Sequence, residues 1–172
     1  MSRKIILSGV HGVGKGYFIK SRLAHIRNLT VISASEIIAQ YHDAEDAGNK
    51  RVKNVGENQK LLFETLKIYF EKHKETVLLD GHLVILDEND SIQRIPLSFF
   101  EGMFDTIILL QDDVDSIYDK MYKRDGVHKL EKNLIEQIQE KEREYAKELE
   151  QQGIEVCYIT ASSKEETYSH LF

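Results

Sequence analysis

The stretch from Lys4 to Phe18 constrains this chain more than any other. An apolar run, Ile5 to Leu7, reads as a short buried strand, and Gly9-Val-His-Gly-Val-Gly-Lys15 follows it before a helical pattern begins. The spacing G-x-x-x-x-G-K between a strand and a helix is that of a loop that wraps a phosphate chain. Its glycines let the backbone curl so that successive N–H groups face an anion. The helix start behind it adds unpaired N–H groups and a dipole, and Lys15 adds a point charge for β- and γ-phosphates. Gly9, His11, Gly12, Val13, Gly14, Lys15, Gly16 and Tyr17 are therefore the expected nucleotide-binding residues.

One position departs from the pattern. The residue after the lysine ordinarily carries a hydroxyl that reaches Mg²⁺, and here it is Gly16. Either phosphate oxygens, waters and a carboxylate elsewhere hold the metal, or turnover is weakened.

Apolar runs at 29–32, 76–79, 106–110 and 154–159 read as further strands. Helical patterns fall at 17–27, 58–72, 115–123, 131–152 and 164–171, with a short one at 98–103. Ser33 or Ser35 is a fitting N-cap for another helix carrying Ile37 and Ile38. In the 58–72 segment Leu61, Leu62, Leu66 and Phe70 share a face that Phe63 and Ile68 broaden. Leu134, Ile138, Tyr145 and Leu149 form the apolar stripe of the long charged helix. Leu83–Leu86 and Ser91–Ile95 flank a polar turn and read as a β-hairpin. Strands separated by helices along the whole length predict an α/β protein of three layers, a five-stranded, mostly parallel sheet with helices on both faces. Residues 1–172 are expected to form a single domain. Its special parts are an acceptor-binding excursion at about 33–60, the hairpin at about 83–95 and a short lid at about 124–130.

A formal charge of −6 argues against nucleic acid as the primary partner. The single Cys157 excludes an internal disulfide and fits a reducing compartment. No apolar segment is long enough for a membrane helix, so a cytoplasmic protein with no membrane partner is expected.

Asp80 ends the run Val77-Leu-Leu-Asp80 and is the leading metal anchor, the alternative being a carboxylate that caps the next turn. His82 leaves the same strand top, toward a substrate or with no special role. Arg124 stands before the lid, where a guanidinium offsets charge on a transferring phosphoryl group. Arg143 is the second such candidate, or part of a salt-bridged outer face. Lys50-Arg51-Val-Lys53-Asn54 is a local basic patch, suited to an acceptor phosphate or simply solvated. Asn54, Asn58 or Gln59 is placed to read a base, and Arg94 to face the same acceptor phosphate.

Taken in order, these parts resemble P-loop kinases of the nucleoside-monophosphate kinase type, in particular archaeal-type adenylate kinases and short bacterial AAA-type ATP-binding proteins of that build. Asp80-Gly-His82, Gln139-x-x-x-Arg143, Ser33-Ala-Ser-Glu36 and the segment from Val52 to Gln59 carry the likeness. The resemblance implies the P-loop NTPase fold, Mg²⁺ and ATP as donor, and a nucleoside monophosphate as acceptor bound by residues such as Ser35, Lys53, Asn54, Gln59, His82 and Arg94. Lys15, Arg124 and Arg143 take the catalytic roles, and the partners are small nucleotides, in a monomer or homodimer. The chain departs from that pattern at Gly16, at Ile38 in place of a phosphate-binding arginine, at Leu83-Val84 in place of a Pro-Arg pair, and in a lid offering His128 and Lys129. A nucleotide-binding switch or partner-docking module with little turnover is the alternative that Gly16 favours.

Overall fold

The computed structural model describes residues 2–41 and 55–172. Its centre is a five-stranded parallel sheet made of β1 (Lys4–Ser8), β2 (Leu29–Ser33), β3 (Thr76–Asp80), β6 (Thr106–Gln111) and β7 (Glu155–Thr160) in the order β2-β3-β1-β6-β7. The strands are runs of Ile, Leu and Val because both faces of the sheet are covered. Ile5, Leu7, Leu78, Leu79, Ile107 and Leu109 are fully buried. A separate antiparallel hairpin, β4 (Val84–Leu86) with β5 (Ile92–Arg94), turns through Asp87–Asp90 as the sequence predicts.

The register places the chemistry. Leu7 lies opposite Asp80 and Asp80 opposite Ser33, so Ser8, Ser33 and Asp80 share the carboxyl edge of the sheet. The chain leaves β1 toward β2 on one side and reaches β6 on the other, so a crevice opens at the top of β1. Such a change of winding direction is where open α/β sheets bind ligands.

Among the described residues six α-helices flank the sheet and its crevice: α1 (Lys15–Tyr17), α2 (Ala34–Ala39), α3 (Val55–Lys72), α4 (Leu97–Phe100), α5 (Val114–Asp125) and α6 (Lys132–Gln151). Several differ from expectation. The helix predicted over 17–27 is one α turn followed by a widened π turn, Phe18–Arg22, that ends at Leu23. There the Ser21 hydroxyl donates to the Tyr17 carbonyl, and Arg22 donates to the carbonyls of Ala161 and Ser163. The predicted last helix is two 3₁₀ turns around Tyr168, whose ring packs edge-on against Phe18 at 5.0 Å. The short helix at 98–103 stops by Glu101, before Gly102 at φ 69°. Ile68 does not join the buried face of α3, being 52% exposed. On α6 the buried stripe takes in Gln139 and Glu142, with Leu134 at its margin.

Among the described residues no helix is long and apolar enough to cross a membrane.

Candidate active site

Above the carboxyl edge lies a cavity of about 1050 Å³. Its floor is the loop from Val10 to Phe18, and one wall is Ala34, Ser35 and Ile38 of α2 with Asn58, Gln59 and Leu62 of α3. Asp80, Gly81 and His82 form the middle, and Lys120, Arg124, Thr160 and Ala161 close the other side.

The loop is shaped by its glycines. Gly14 sits at φ 113°, where a side chain is strained. A Cβ on Gly9 would meet the Leu110 carbonyl oxygen at 2.6 Å, so only glycine lets β1 leave the sheet here. Gly16 is different. Nothing lies within 4 Å of a Cβ built on it, and its backbone is ordinary helix. The missing hydroxyl is therefore not imposed by packing.

Lys15 draws the centre together. Its Nζ donates to the Gly81 carbonyl at 2.6 Å, pairs with Asp80 Oδ1 at 2.9 Å and lies 3.3 Å from His82 Nε2. Ser33 caps α2, its hydroxyl accepting from the Glu36 N–H, and stands 3.0 Å from the Ser35 hydroxyl on the cavity wall. Gln59 faces the same cavity from α3.

The end of α5 is clipped to the loop. Arg124 donates to both oxygens of Asp125 and lies against His11 Nε2, while Lys129 pairs with Asp125 at 3.4 Å. The Arg124 hydrogen bond, against some burial, holds the Asp125 carboxyl far below the usual range, and reciprocally raises Arg124. His128 stacks on Tyr118 with ring centres 3.5 Å apart, fixing the segment after α5 against that helix.

Three expected site residues among those described do not line the cavity; Gly9, directly after β1, is one of them, and the other two are arginines. Arg94 projects from the exposed side of the hairpin, where Glu148 holds both its terminal nitrogens at 2.7 and 2.9 Å and Tyr145 lies beneath it. Arg143 donates from Nε to Gln111 Oε1 at 3.0 Å, on the exposed side of α6. Lys53 and Asn54 lie outside the described residues.

Other residues enter unannounced. Lys120, one helical turn before Arg124, donates to the Val13 carbonyl and to Asp112. Burial pushes the Asp112 carboxyl up, but the bonds from Lys120, the Asp113 N–H and Ser116 outweigh it and hold the group below its ordinary value. The i, i+4 spacing of Lys120 and Arg124 was the available signal. Gln139 ties α6 to the end of β6, accepting from the Asp112 N–H and donating to the Asp112 carbonyl. Glu142 is fully buried and accepts a hydrogen bond from the Ser8 hydroxyl at 2.8 Å.

Among the described residues no cluster of three or more His, Cys, Asp or Glu side chains could hold a metal ion. Among the described residues Asp80 alone offers a carboxylate at the cavity, beside Lys15. That donor set fits Mg²⁺ that arrives on nucleotide phosphates, not a metal held by protein ligands alone.

Residues 8–139 match the family model of the AAA domain. No curated protein matches the sequence. Among solved structures, a gluconokinase from Sinorhizobium meliloti 1021 superposes with a TM-score of 0.60 at 11% identity, covering 95% of this chain and 85% of its own. A deoxyadenosine kinase from M. mycoides, solved with dCMP and a flexible dCDP, does so with a TM-score of 0.56 at 16% identity, over 98% and 95%. The likeness is one of fold: a five-stranded parallel sheet with flanking helices, as in P-loop kinases.

Proposed function

The chain belongs to the AAA domain family, and from that premise we propose that it is a P-loop kinase moving the γ-phosphoryl group of ATP to a small acceptor, a nucleoside monophosphate in the first instance. The observation that carries this is the position of Lys15. Its ammonium group sits among Asp80, Gly81 and His82 at the centre of the cavity, between the lid side and the α2–α3 side. A donor phosphate chain on the loop and an acceptor on α2–α3 would meet there.

In this reading the loop N–H groups and Lys15 hold the β- and γ-phosphates, and Arg124 answers charge that builds on the transferred group. Lys120, on the same face of α5, adds a second cation beside the loop. When bound, Mg²⁺ would neutralise phosphate charge, held by the phosphates and Asp80. Ser35, Gln59 and His82 line the acceptor half, and the sequence offers Lys50, Arg51 and Lys53 as cations for an acceptor phosphate. Catalysis of this kind is positioning and electrostatics with water excluded, which suits a lid bonded to the loop. The names of the two structural relatives also support a nucleoside or gluconate as acceptors to test.

The second reading, a nucleotide switch with little turnover, is favoured by Gly16 alone. One assay separates the two. Labelled ATP with Mg²⁺ is offered to ribo- and deoxyribonucleoside monophosphates, nucleosides and gluconate, beside a control without acceptor. Transfer to one acceptor well above that control establishes the kinase and names its substrate; tight ATP binding with no transfer to any of them favours the switch.

A further inference from the structure

Glu142 has no place in the proposed chemistry, yet it sits directly behind it. The side chain is 0% exposed, at the middle of α6. The Ser8 hydroxyl donates to Oε1 at 2.8 Å and accepts from the Leu83 N–H at 2.8 Å. Ser8 is the last residue of β1, at the root of the phosphate loop, and Leu83 follows Gly81 and His82, which contact Lys15. One hydroxyl thus joins three segments: the loop root, the turn that receives Lys15, and α6. Oε2 is buried with no hydrogen-bond partner among the described residues. An ionised carboxylate is costly in such a place, whereas a protonated one leaves only a neutral group unmatched.

The surrounding charges are already engaged. Lys15, the charged group that acts on Glu142, lies between Asp80 and His82. Lys120 of α5 is on Asp112, Arg94 of β5 on Glu148, and Arg143 of α6 on Gln111. Glu155 at the start of β7 pairs with Arg3, and β4 and β6 carry no charged residue. Burial raises the Glu142 carboxyl to about 7, against the opposing pull of the Ser8 bond and of Lys15. Phosphates on the loop would take up the Lys15 charge and set anions near a buried carboxylate, and both effects favour its neutral form.

We propose that Glu142 is a positioning residue, holding Ser8 and through it the Gly81–Leu83 turn under Lys15, and that it takes a proton from solvent when a nucleotide settles on the loop. This rests on the nucleotide reading of the site.

The test is calorimetric titration of the full chain with ATP in two buffers of different ionisation enthalpy, from pH 6.5 to 8.5. The expected result is uptake of a fraction of a proton per ATP and an affinity about three- to tenfold weaker at the top of that range. Glu142→Gln, which keeps an oxygen for Ser8 and cannot ionise, should lose that component and bind ATP more tightly than the unaltered chain at pH 8.5. The histidines of the site are present in both, so the difference between the two profiles belongs to residue 142. Ser8→Ala, the second variant should the first fail to fold, leaves the carboxyl without its donor and should move the profile to higher pH. Superimposable profiles and proton counts for the unaltered chain and the variants overturn the inference while ATP binding stands. So does a loss of affinity that is equal at every pH, because a merely structural role predicts it. Failure of the unaltered chain to bind ATP at any pH overturns the nucleotide reading and this inference together.

Discussion

Gly16 occupies the first helical turn behind Lys15 with open space where a side chain would stand. A serine there would add a hydroxyl at the position that meets Mg²⁺ in other phosphate loops, and replacing a helical glycine by serine is itself favourable by about 0.3–0.5 kcal/mol. Gly16→Ser is therefore expected to fold, to melt slightly higher, and to raise Mg²⁺-dependent phosphotransfer by about tenfold, one missing metal ligand being worth on the order of 1.4 kcal/mol. A rate unchanged by the serine in the acceptor assay would mean that the metal is held without it. The place and curl of the loop were legible because glycines and a lysine at fixed spacing between a strand and a helix have few other uses. Glu142 and Arg143 were not, because Gln139-Glu-Lys-Glu-Arg143 is polar throughout and says little about which residue turns inward. Adjacent residues on a helix are separated by about 100°. The fold buries Glu142 and leaves the arginine outside.

At the scale of elements, strands and their order of use were readable wherever an apolar run was bounded by turn residues, as in Val77-Leu-Leu-Asp80. The helix behind the loop was not: its π turn ends at Arg22, which bonds to carbonyls just past β7, a long-range contact that no local pattern encodes. Nor was the inward face of the hairpin: Arg94 is drawn to Glu148 on α6, a pairing that no local pattern encodes. The end of α5 gives the sharper test. Arg124 is half exposed and bonded to Asp125 and His11, so its removal should cost little stability, as exposed ion pairs do. Arg124→Ala is expected to lower the phosphotransfer rate by about 10²- to 10³-fold, with a melting temperature within a few degrees of the unaltered chain. A rate within threefold would remove Arg124 from the transfer step.

The molecule as a whole carries the mark of its buried carboxyl. Folding lifts Glu142 from 4.5 to about 7, so the folded chain keeps a proton that the unfolded chain releases between those values. This contribution favours folding most at low pH and fades as pH rises through about 7, by on the order of 3 kcal/mol in all. Melting of the unaltered chain and of Glu142→Gln, compared at pH 5.5 and 8, should show the variant gaining at pH 8 relative to its standing at pH 5.5; an equal difference at both would mean that the carboxyl is not neutral in the fold at low pH. The shortness of α1 has an electrical corollary. Behind the loop three α residues run into the π turn that ends at Arg22, a short helix whose dipole reaches an anion only through its first turn. In the proposed reading much of the hold on phosphate therefore rests, beside the loop N–H groups, on the side-chain charges of Lys15, Lys120 and the half-exposed Arg124. Charges so placed are open to screening, which acts over about 8 Å at physiological ionic strength. ATP affinity is expected to fall by about tenfold or more between 0.05 and 0.5 M sodium chloride, and the protein then takes up nucleotide only as strongly as the surrounding salt allows.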